Sequence, residues 1–361
     1  MNEPVRIFLG ANSGGGFVSL YDQLLGDRFD DLLIIKGGPG CGKSSFMREV
    51  AKKLTEDGNF AIYVNCSGDP DSLDGVLFPE LRAGLVDGTA PHVLEPVYTA
   101  ANERYLDLTR FYNVEAAKAA RAEIAAHSDA YRAAYGEAYH ILRAADALSS
   151  ERRGVVRAAA DLSGLERRLA RIAKRELRGG KGTRGRKDEA FLGGVTHQGE
   201  LCRFETVDAL CPRVYELVDS YGLAAPALER LRDAAAEAGF DTLACRNPDR
   251  PREVQHLLIP EKGVAFVSSS ARLSYPGKAY RRLRADAAAV LPRAEKARLR
   301  LSGRIECALR DEAVEALRRA KAEHDALEAV YNPCVDFDGV YALAAAEAER
   351  IARNAGGKSA Q

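Results

Sequence analysis

Four consecutive apolar residues, Leu32-Leu33-Ile34-Ile35, stand between Asp31 and Lys36. An unbroken run of this length predicts a strand buried on both faces. Beyond it, Phe46, Met47, Val50, Ala51 and Leu54 recur at helical spacing with Arg48, Lys52 and Lys53 between them. That spacing predicts an amphipathic helix over residues 43–56, with Gly58 as its stop. Residues 60–66 and 83–86 carry apolar and β-branched side chains and read as further strands, the second ending at Asp87. Residues 5–21 read as two short strands around the turn Asn12-Ser13-Gly14-Gly15-Gly16. The order strand, helix, strand, strand predicts a parallel sheet with helices packed on it.

The pattern changes at about residue 97. From there to 178 the chain is rich in Ala, Arg, Glu and Leu, which predicts long helices in an antiparallel hairpin. The basic, glycine-rich stretch 178–187 reads as a mobile linker. A second α/β segment follows over 189–271, then long helices over 277–330, a break at Asn332-Pro333 and a last helix over 336–353. The expected domains are therefore 1–180, with a helical extension at 97–178, and 188–361, with an extension at 277–353.

The two halves resemble each other. Phe8-Leu9-Gly10 recurs as Phe191-Leu192-Gly193. At an offset of 181, Gly58 falls on Gly239, Pro70 on Pro251, and Val76-Leu77-Phe78-Pro79-Glu80 on Leu257-Leu258-Ile259-Pro260-Glu261. Met47 and Val50 fall on Leu228 and Leu231, so the helix face is kept. Gly42, Lys43 and Ser44, by contrast, fall on Leu223, Ala224 and Ala225. A repeat this long points to duplication of a whole domain.

Candidate chemistry sits between the first buried strand and the first helix. Gly37-Gly38-Pro39-Gly40-Cys41-Gly42-Lys43-Ser44 fits the phosphate-loop pattern G-x-x-x-x-G-K-[ST]. Its N–H groups, with those reaching Ser45 at the helix start, are expected to curl around phosphate oxygens, aided by the helix dipole. Lys43 is expected on the β- and γ-phosphates and the Ser44 hydroxyl on Mg²⁺. Cys41 reads as a small filler, with an oxidisable thiol as the other reading.

Such a loop needs an acid at the end of a neighbouring strand to hold the metal. Asp87 is the candidate, and its counterpart Ser268 lacks the carboxylate. Asp69, Asp71, Asp74 and Glu80 are candidates to orient an attacking water, with Asp69 ranked first because it follows strand 60–66. His92 reads as a loop histidine with satisfied hydrogen bonds, with a contact to phosphate or ligand as the other reading. Between Arg167 and Lys187 lie ten Lys or Arg residues and one Glu. This cluster reads as a solvated face, a lid or arginine finger, or a nucleic-acid contact; the absence of interleaved aromatics weighs against the last.

Composition narrows the partners. The 361 residues carry 52 basic and 52 acidic side chains, which argues against a generally basic nucleic-acid binder. No run is apolar enough for a membrane span. Seven scattered cysteines without a C-x-x-C pair fit reduced thiols, and the N-terminus lacks a signal peptide's apolar stretch, so a cytoplasmic location is expected.

The loop Gly37–Ser44 carries a resemblance, together with Ser72-Leu73-Asp74-Gly75-Val76-Leu77-Phe78-Pro79-Glu80, Leu85-Val86-Asp87-Gly88-Thr89-Ala90-Pro91-His92 and the duplicated layout. With these the chain resembles a bacterial family of tandem P-loop ATPase-like proteins over nearly its whole length. Members of that family can carry a phosphate loop in both halves; here the second has lost its lysine and serine. The resemblance implies a duplicated P-loop NTPase fold, each parallel-sheet core followed by helical extensions, and binding of ATP and Mg²⁺ at one N-terminal site. Lys43, Asp69 and Asp87 are the expected catalytic residues, and Ser44 and Asp87 the expected metal ligands. Hydrolysis of ATP is the expected reaction. A phosphotransferase, or a switch that recruits a protein partner through the helical extensions, are the alternatives.

Overall fold

The computed structural model describes residues 4–358. The chain opens with β1 (Val5–Ile7), β2 (Gly10–Ser13) and β3 (Gly16–Ser19). It continues through β4 (Asp31–Lys36), α1 (Lys43–Glu56), β5 (Ile62–Asn65), β6 (Leu73–Phe78), β7 (Ala83–Asp87) and β8 (Glu103–Asp107). The helices α2 (Val114–Ala119), α3 (Arg121–Ala158) and α4 (Ser163–Glu176) follow. Then come β9 (Lys187–Ala190), β10 (Gly193–Thr196), β11 (Gly199–Cys202) and α5 (Phe204–Leu210). The second core comprises β12 (Arg213–Val218), α6 (Ala225–Glu237), β13 (Thr242–Asn247), β14 (Arg250–Ile259), β15 (Val264–Ser269) and β16 (Arg281–Arg284). The helices α7 (Arg293–Tyr331) and α8 (Phe337–Lys358) complete the described chain.

The chain forms two compact units, and they are drawn differently from the expected halves 1–180 and 188–361. One unit joins the residues up to 18 with 138–314; the other joins 19–137 with the residues from 315 onward. The division falls inside the long helices α3 and α7 rather than at the basic stretch 178–187.

In the unit that carries the glycine-rich loop, strands run in the order β5-β6-β7-β4-β8. β4 pairs in parallel with both β7 and β8, while β6 is antiparallel to β5 and β7. The sheet is thus mixed where a parallel one was expected. β6 falls between the strands expected at 60–66 and 83–86, and β8 falls in the stretch from 97 expected to be helical. The other unit has the order β16-β12-β15-β14-β13-β9. There β12 is parallel to β15 and β16, and β14 is antiparallel to β13 and β15. Strand for strand, β8-β4-β7-β6-β5 corresponds to β16-β12-β15-β14-β13. The two cores share one topology, as the repeat predicts.

The helical extensions are exchanged. On α8, Val340, Ala344, Ala348 and Ile351 recur at helical spacing and share one core with Phe46, Met47, Val50, Ala51 and Leu54 of α1. Glu347 of α8 binds Arg104 of β8 and Arg350, and Arg350 reaches Asp31 at the start of β4. In the other unit Leu169 and Ile172 of α4 share a core with Leu228 and Leu231 of α6. The last helix of each sequence half therefore covers the sheet of the other half. Periodicity marks a helix's apolar face but not which sheet receives it.

The residues up to 18 fall in one unit with 138–314. Phe8 and Phe191, the first residues of the repeated Phe-Leu-Gly phrase, exchange backbone hydrogen bonds of 2.9 and 2.8 Å. Asn12 donates to the Val195 carbonyl at 3.0 Å. The stretch 178–187, expected to be mobile, is tied down. Lys181 N–H donates to the Ala238 carbonyl at 3.0 Å and Gly185 N–H to that of Ala236 at 2.8 Å. Arg186 Nε donates to Asp241 at 3.0 Å, and Lys187 opens β9. Among the described residues no helix is long and apolar enough to cross a membrane.

Candidate functional site

Leu32, Leu33, Ile34 and Ile35 of β4 are fully buried, as a central strand flanked by parallel neighbours requires. The strand delivers the chain to a six-residue loop, and α1 begins at Lys43. Two loop glycines lie in the left-handed region, Gly40 at φ +68° and Gly42 at φ +83°. Gly42 is the N-cap of α1, and its carbonyl accepts the first helical bond from Phe46 N–H at 2.8 Å. A side chain at either glycine would strain the backbone that brings the loop's N–H groups together.

The cation of the loop is positioned by its own backbone. Lys43 Nζ donates to the carbonyls of Gly37 and Gly38, both at 2.9 Å. It also lies 3.6 Å from Asp87 Oδ2. Asp87 reaches this point because β7 is parallel to β4 with Ile35 opposite Asp87, so both chains end at the same edge of the sheet. Gly88 N–H donates back to the Ile35 carbonyl at 2.9 Å. Asp87 Oδ1 accepts from Thr89 N–H at 2.8 Å and from the Thr89 hydroxyl at 2.6 Å, which fixes the carboxylate. The lysine and acid singled out in the sequence are therefore brought together. The site opens where ligands sit in α/β sheets, outside the carboxyl ends of parallel strands.

Ser44 Oγ accepts from Leu73 N–H, the first residue of β6, at 3.0 Å. That contact ties the start of α1 to the start of β6. Cys41 is buried, and burial pushes its thiol up, away from the reactive thiolate; of the two readings for it, the geometry fits the filler. All seven cysteines are free. Pro39 is held through its carbonyl, which accepts from the Tyr112 hydroxyl at 2.8 Å.

The acid ranked first as water-orienting group lies elsewhere. Asp69 closes its own turn: it accepts from Asp71 N–H at 3.2 Å and the Ser72 hydroxyl at 2.9 Å, and it faces Lys321 at 3.6 Å. Asp74 and His92 join Asp87 instead, with one ligand atom of each within 4.8 Å of the others. The sequence offers Asp74 as one of several acids between strands 60–66 and 83–86, and His92 as a residue after Asp87. Only the antiparallel strand β6 carries Asp74 inward, and that strand has no clear signal in Leu-Asp-Gly-Val-Leu-Phe.

The sequence also gave no hint of a C-terminal contact on the loop. Gly40 N–H donates to Glu328 Oε1 at 3.3 Å, so a carboxylate from α7 occupies one of the loop's amides. Tyr331 packs against Tyr112 with ring centroids 5.5 Å apart.

The corresponding loop of the second core is filled by its own chain. Six residues again separate strand and helix, β12 ending at Val218 and α6 starting at Ala225. Aligned on these ends, Gly37 corresponds to Asp219, Gly42 to Ala224, Lys43 to Ala225 and Ser44 to Pro226, one position from the sequence alignment. Both registers leave the loop without lysine or serine. Strand pairing places Ser268 opposite Leu217, where Asp87 stands opposite Ile35. Asp219 is buried, and its two carboxylate oxygens accept from Leu223 N–H and Ala224 N–H, each at 2.8 Å. No phosphate can use those amides while the carboxylate holds them.

Several cations of the cluster 167–187 are matched within their own unit. Arg175 bonds Glu176 and Tyr215, Lys181 bonds Glu261, and Lys187 bonds Asp233. No family model, curated protein or solved structure matches the chain.

Proposed function

We propose that this chain binds ATP with Mg²⁺ at the loop Gly37, Gly38, Pro39, Gly40, Cys41, Gly42, Lys43, Ser44 and Ser45, and hydrolyses it there as a P-loop NTPase. The observation that carries this reading is the Lys43–Asp87 pair at 3.6 Å, formed at the carboxyl ends of adjacent parallel strands and the N-terminus of α1. The residues present suit the ligand. Gly40 and Gly42 keep side chains out of the cradle, and the helix N-terminus favours negative charge. A bound Mg²⁺ would neutralise phosphate charge.

Each residue then has a task. Lys43 exchanges its bonds to the Gly37 and Gly38 carbonyls for phosphate oxygens and stabilises charge on the transferring group. Ser44 and Asp87 would hold the metal, the acid directly or through water. Asp74, rather than Asp69, stands beside Asp87 to orient water. The second core, with Asp219 in its loop, takes no nucleotide and serves as a scaffold.

A second reading has its own observation. The Glu328 contact on Gly40 N–H joins the end of α7 to the loop, so nucleotide entry displaces a helix side chain. That arrangement suits a switch in which ATP binding alone changes a partner-binding surface. Phosphate release with Mg²⁺ separates the two: hydrolysis predicts turnover lost in Lys43→Ala and weakened in its Mg²⁺ dependence in Asp87→Asn. Tight ATP binding with no phosphate release would favour the switch.

A further inference from the structure

The second core holds a cavity of about 180 Å³ at the carboxyl ends of β12 and β15, and every residue of its wall lies within 138–314. Four arginines and five carboxylates line it. Asp219 is one of the acids, and its oxygens already hold the loop amides, so the cavity is not a phosphate cradle.

His256 of β14 lines this cavity and is 2% exposed. Ser268 N–H donates to its Nδ1 at 3.1 Å. A backbone N–H can only donate, so Nδ1 is bare and Nε2 carries the proton. Burial pushes the imidazole down to about 3, which keeps it neutral. Phe204 packs beside the ring, centroids 6.1 Å apart, and its side chain has no oxygen or nitrogen to accept that proton. Among the described residues nothing else bonds the imidazole. A buried N–H without an acceptor is costly, which marks a place for an acceptor from outside the chain.

Two further side chains on the wall have donors to spare. Arg153 and Arg250 are 13% and 17% exposed. Arg153 bonds Glu253 through Nη2 at 2.6 Å. Arg250 bonds Asp146, Ser149 and Ser150 at 3.1, 3.3 and 3.1 Å, all through Nη2. A guanidinium donates through Nε and both Nη atoms, so Nε and Nη1 of each have no acceptor among the described residues. Burial, then the charge of Arg153, lowers Arg250, which puts the two cations close together. Neighbouring guanidinium groups with unmatched donors suit a carboxylate. The opposite sign is equally present. Glu200 and Glu306 accept from Arg310 at 3.2 and 3.3 Å, and Asp249 also bonds it. With five carboxylates against four arginines, a simple anion would add to an excess of acid. A guest that brings its own cation does not.

We propose that this cavity binds a polar α-amino acid as its zwitterion. Its carboxylate meets Arg153 and Arg250, its ammonium meets the acids around Arg310, and a side-chain oxygen accepts from His256 Nε2. The site is separate from the loop at Lys43 and does not rest on the nucleotide reading of that loop.

Titration calorimetry of the full chain with glutamine, asparagine and serine tests this, with leucine, propionate and propylamine as comparators. At least one of the three polar amino acids is expected to bind at millimolar concentration or below. Leucine, which leaves His256 Nε2 unpaired, should bind about tenfold more weakly, and propionate and propylamine more weakly still. Arg250→Gln, with folding checked by circular dichroism, is expected to weaken polar amino acids and leucine alike, by about tenfold or more. His256→Phe is expected to bring the polar amino acids to the level of leucine and to leave leucine unchanged. Arg250 is partly exposed, so its variant carries the test should His256→Phe fail to fold. Lys43→Ala is expected to bind amino acid as the unaltered chain does. No binding of any of the three polar amino acids, the result for a cavity that holds only water, overturns the proposal. So does propionate binding as tightly as they do, or affinity unchanged in Arg250→Gln. Loss of amino-acid binding in Lys43→Ala would place the ligand at the first loop and overturn it too. Failure of ATP binding with amino-acid binding intact would sink the nucleotide reading and leave this one standing.

Discussion

Asp219 accepts the backbone N–H of Ala224 at 2.8 Å, and the same carboxylate accepts that of Leu223. On the proposed reading of the first core, a side chain thus sits in the second core at the place proposed for phosphate. The second core's loop has Ala225 where Lys43 stands in the first, and the Asp219 carboxylate satisfies two of its amides from within the chain. Asp219→Ala leaves two buried amides without an acceptor, at about 1–3 kcal/mol each. Thermal unfolding should show a clear loss of stability, smaller in Asp219→Asn, which keeps one oxygen. Unchanged unfolding in the alanine variant would mean that the loop does not depend on the carboxylate.

The first core has a weaker version of this contact. Glu328 meets only one loop amide, Gly40 N–H, at 3.3 Å. It is within reach of displacement by a better acceptor. Glu328→Gln removes a negative charge from the place phosphates enter and should tighten ATP several-fold, corresponding to about 1 kcal/mol. Titration calorimetry reads this directly. Equal or weaker affinity would show that Glu328 does not compete with nucleotide.

The docking of α8 should depend on pH. Burial alone would raise Glu347, but the hydrogen bonds from Arg104 and Arg350 outweigh it and hold the carboxyl below its usual value. A depressed folded value gives stability that is complete above the unfolded value of about 4.3 and is lost as pH falls through the folded one. Glu347→Gln should cost about 2 kcal/mol at neutral pH. The gap from the unaltered chain should close below about pH 4. A gap that stays constant from pH 7 to pH 3 would assign the effect to packing.

Much of this was legible in the chain. The run Leu32–Ile35, the loop, the helix face from Phe46 to Leu54 and the strand ending at Asp87 all fall where the pattern puts them, because burial on two faces and helical spacing leave local signals. What was not legible is long-range. Leu-Asp-Gly-Val-Leu-Phe does not announce a strand, so Asp74 was not seen to face Asp87. The face Val340, Ala344, Ala348 and Ile351 marks a buried helix but not the sheet it covers, so the exchange of α4 and α8 was missed. Glu328 lies 288 residues from Gly40 and leaves no trace in spacing.

A single nucleotide site built on Lys43 and Asp87 can be counted by calorimetry of ATP binding. One ATP per chain is expected in the presence of Mg²⁺ and none in Lys43→Ala, with the variant's circular dichroism unchanged. Undiminished ATP binding by Lys43→Ala, or a second ATP on the unaltered chain, would contradict it.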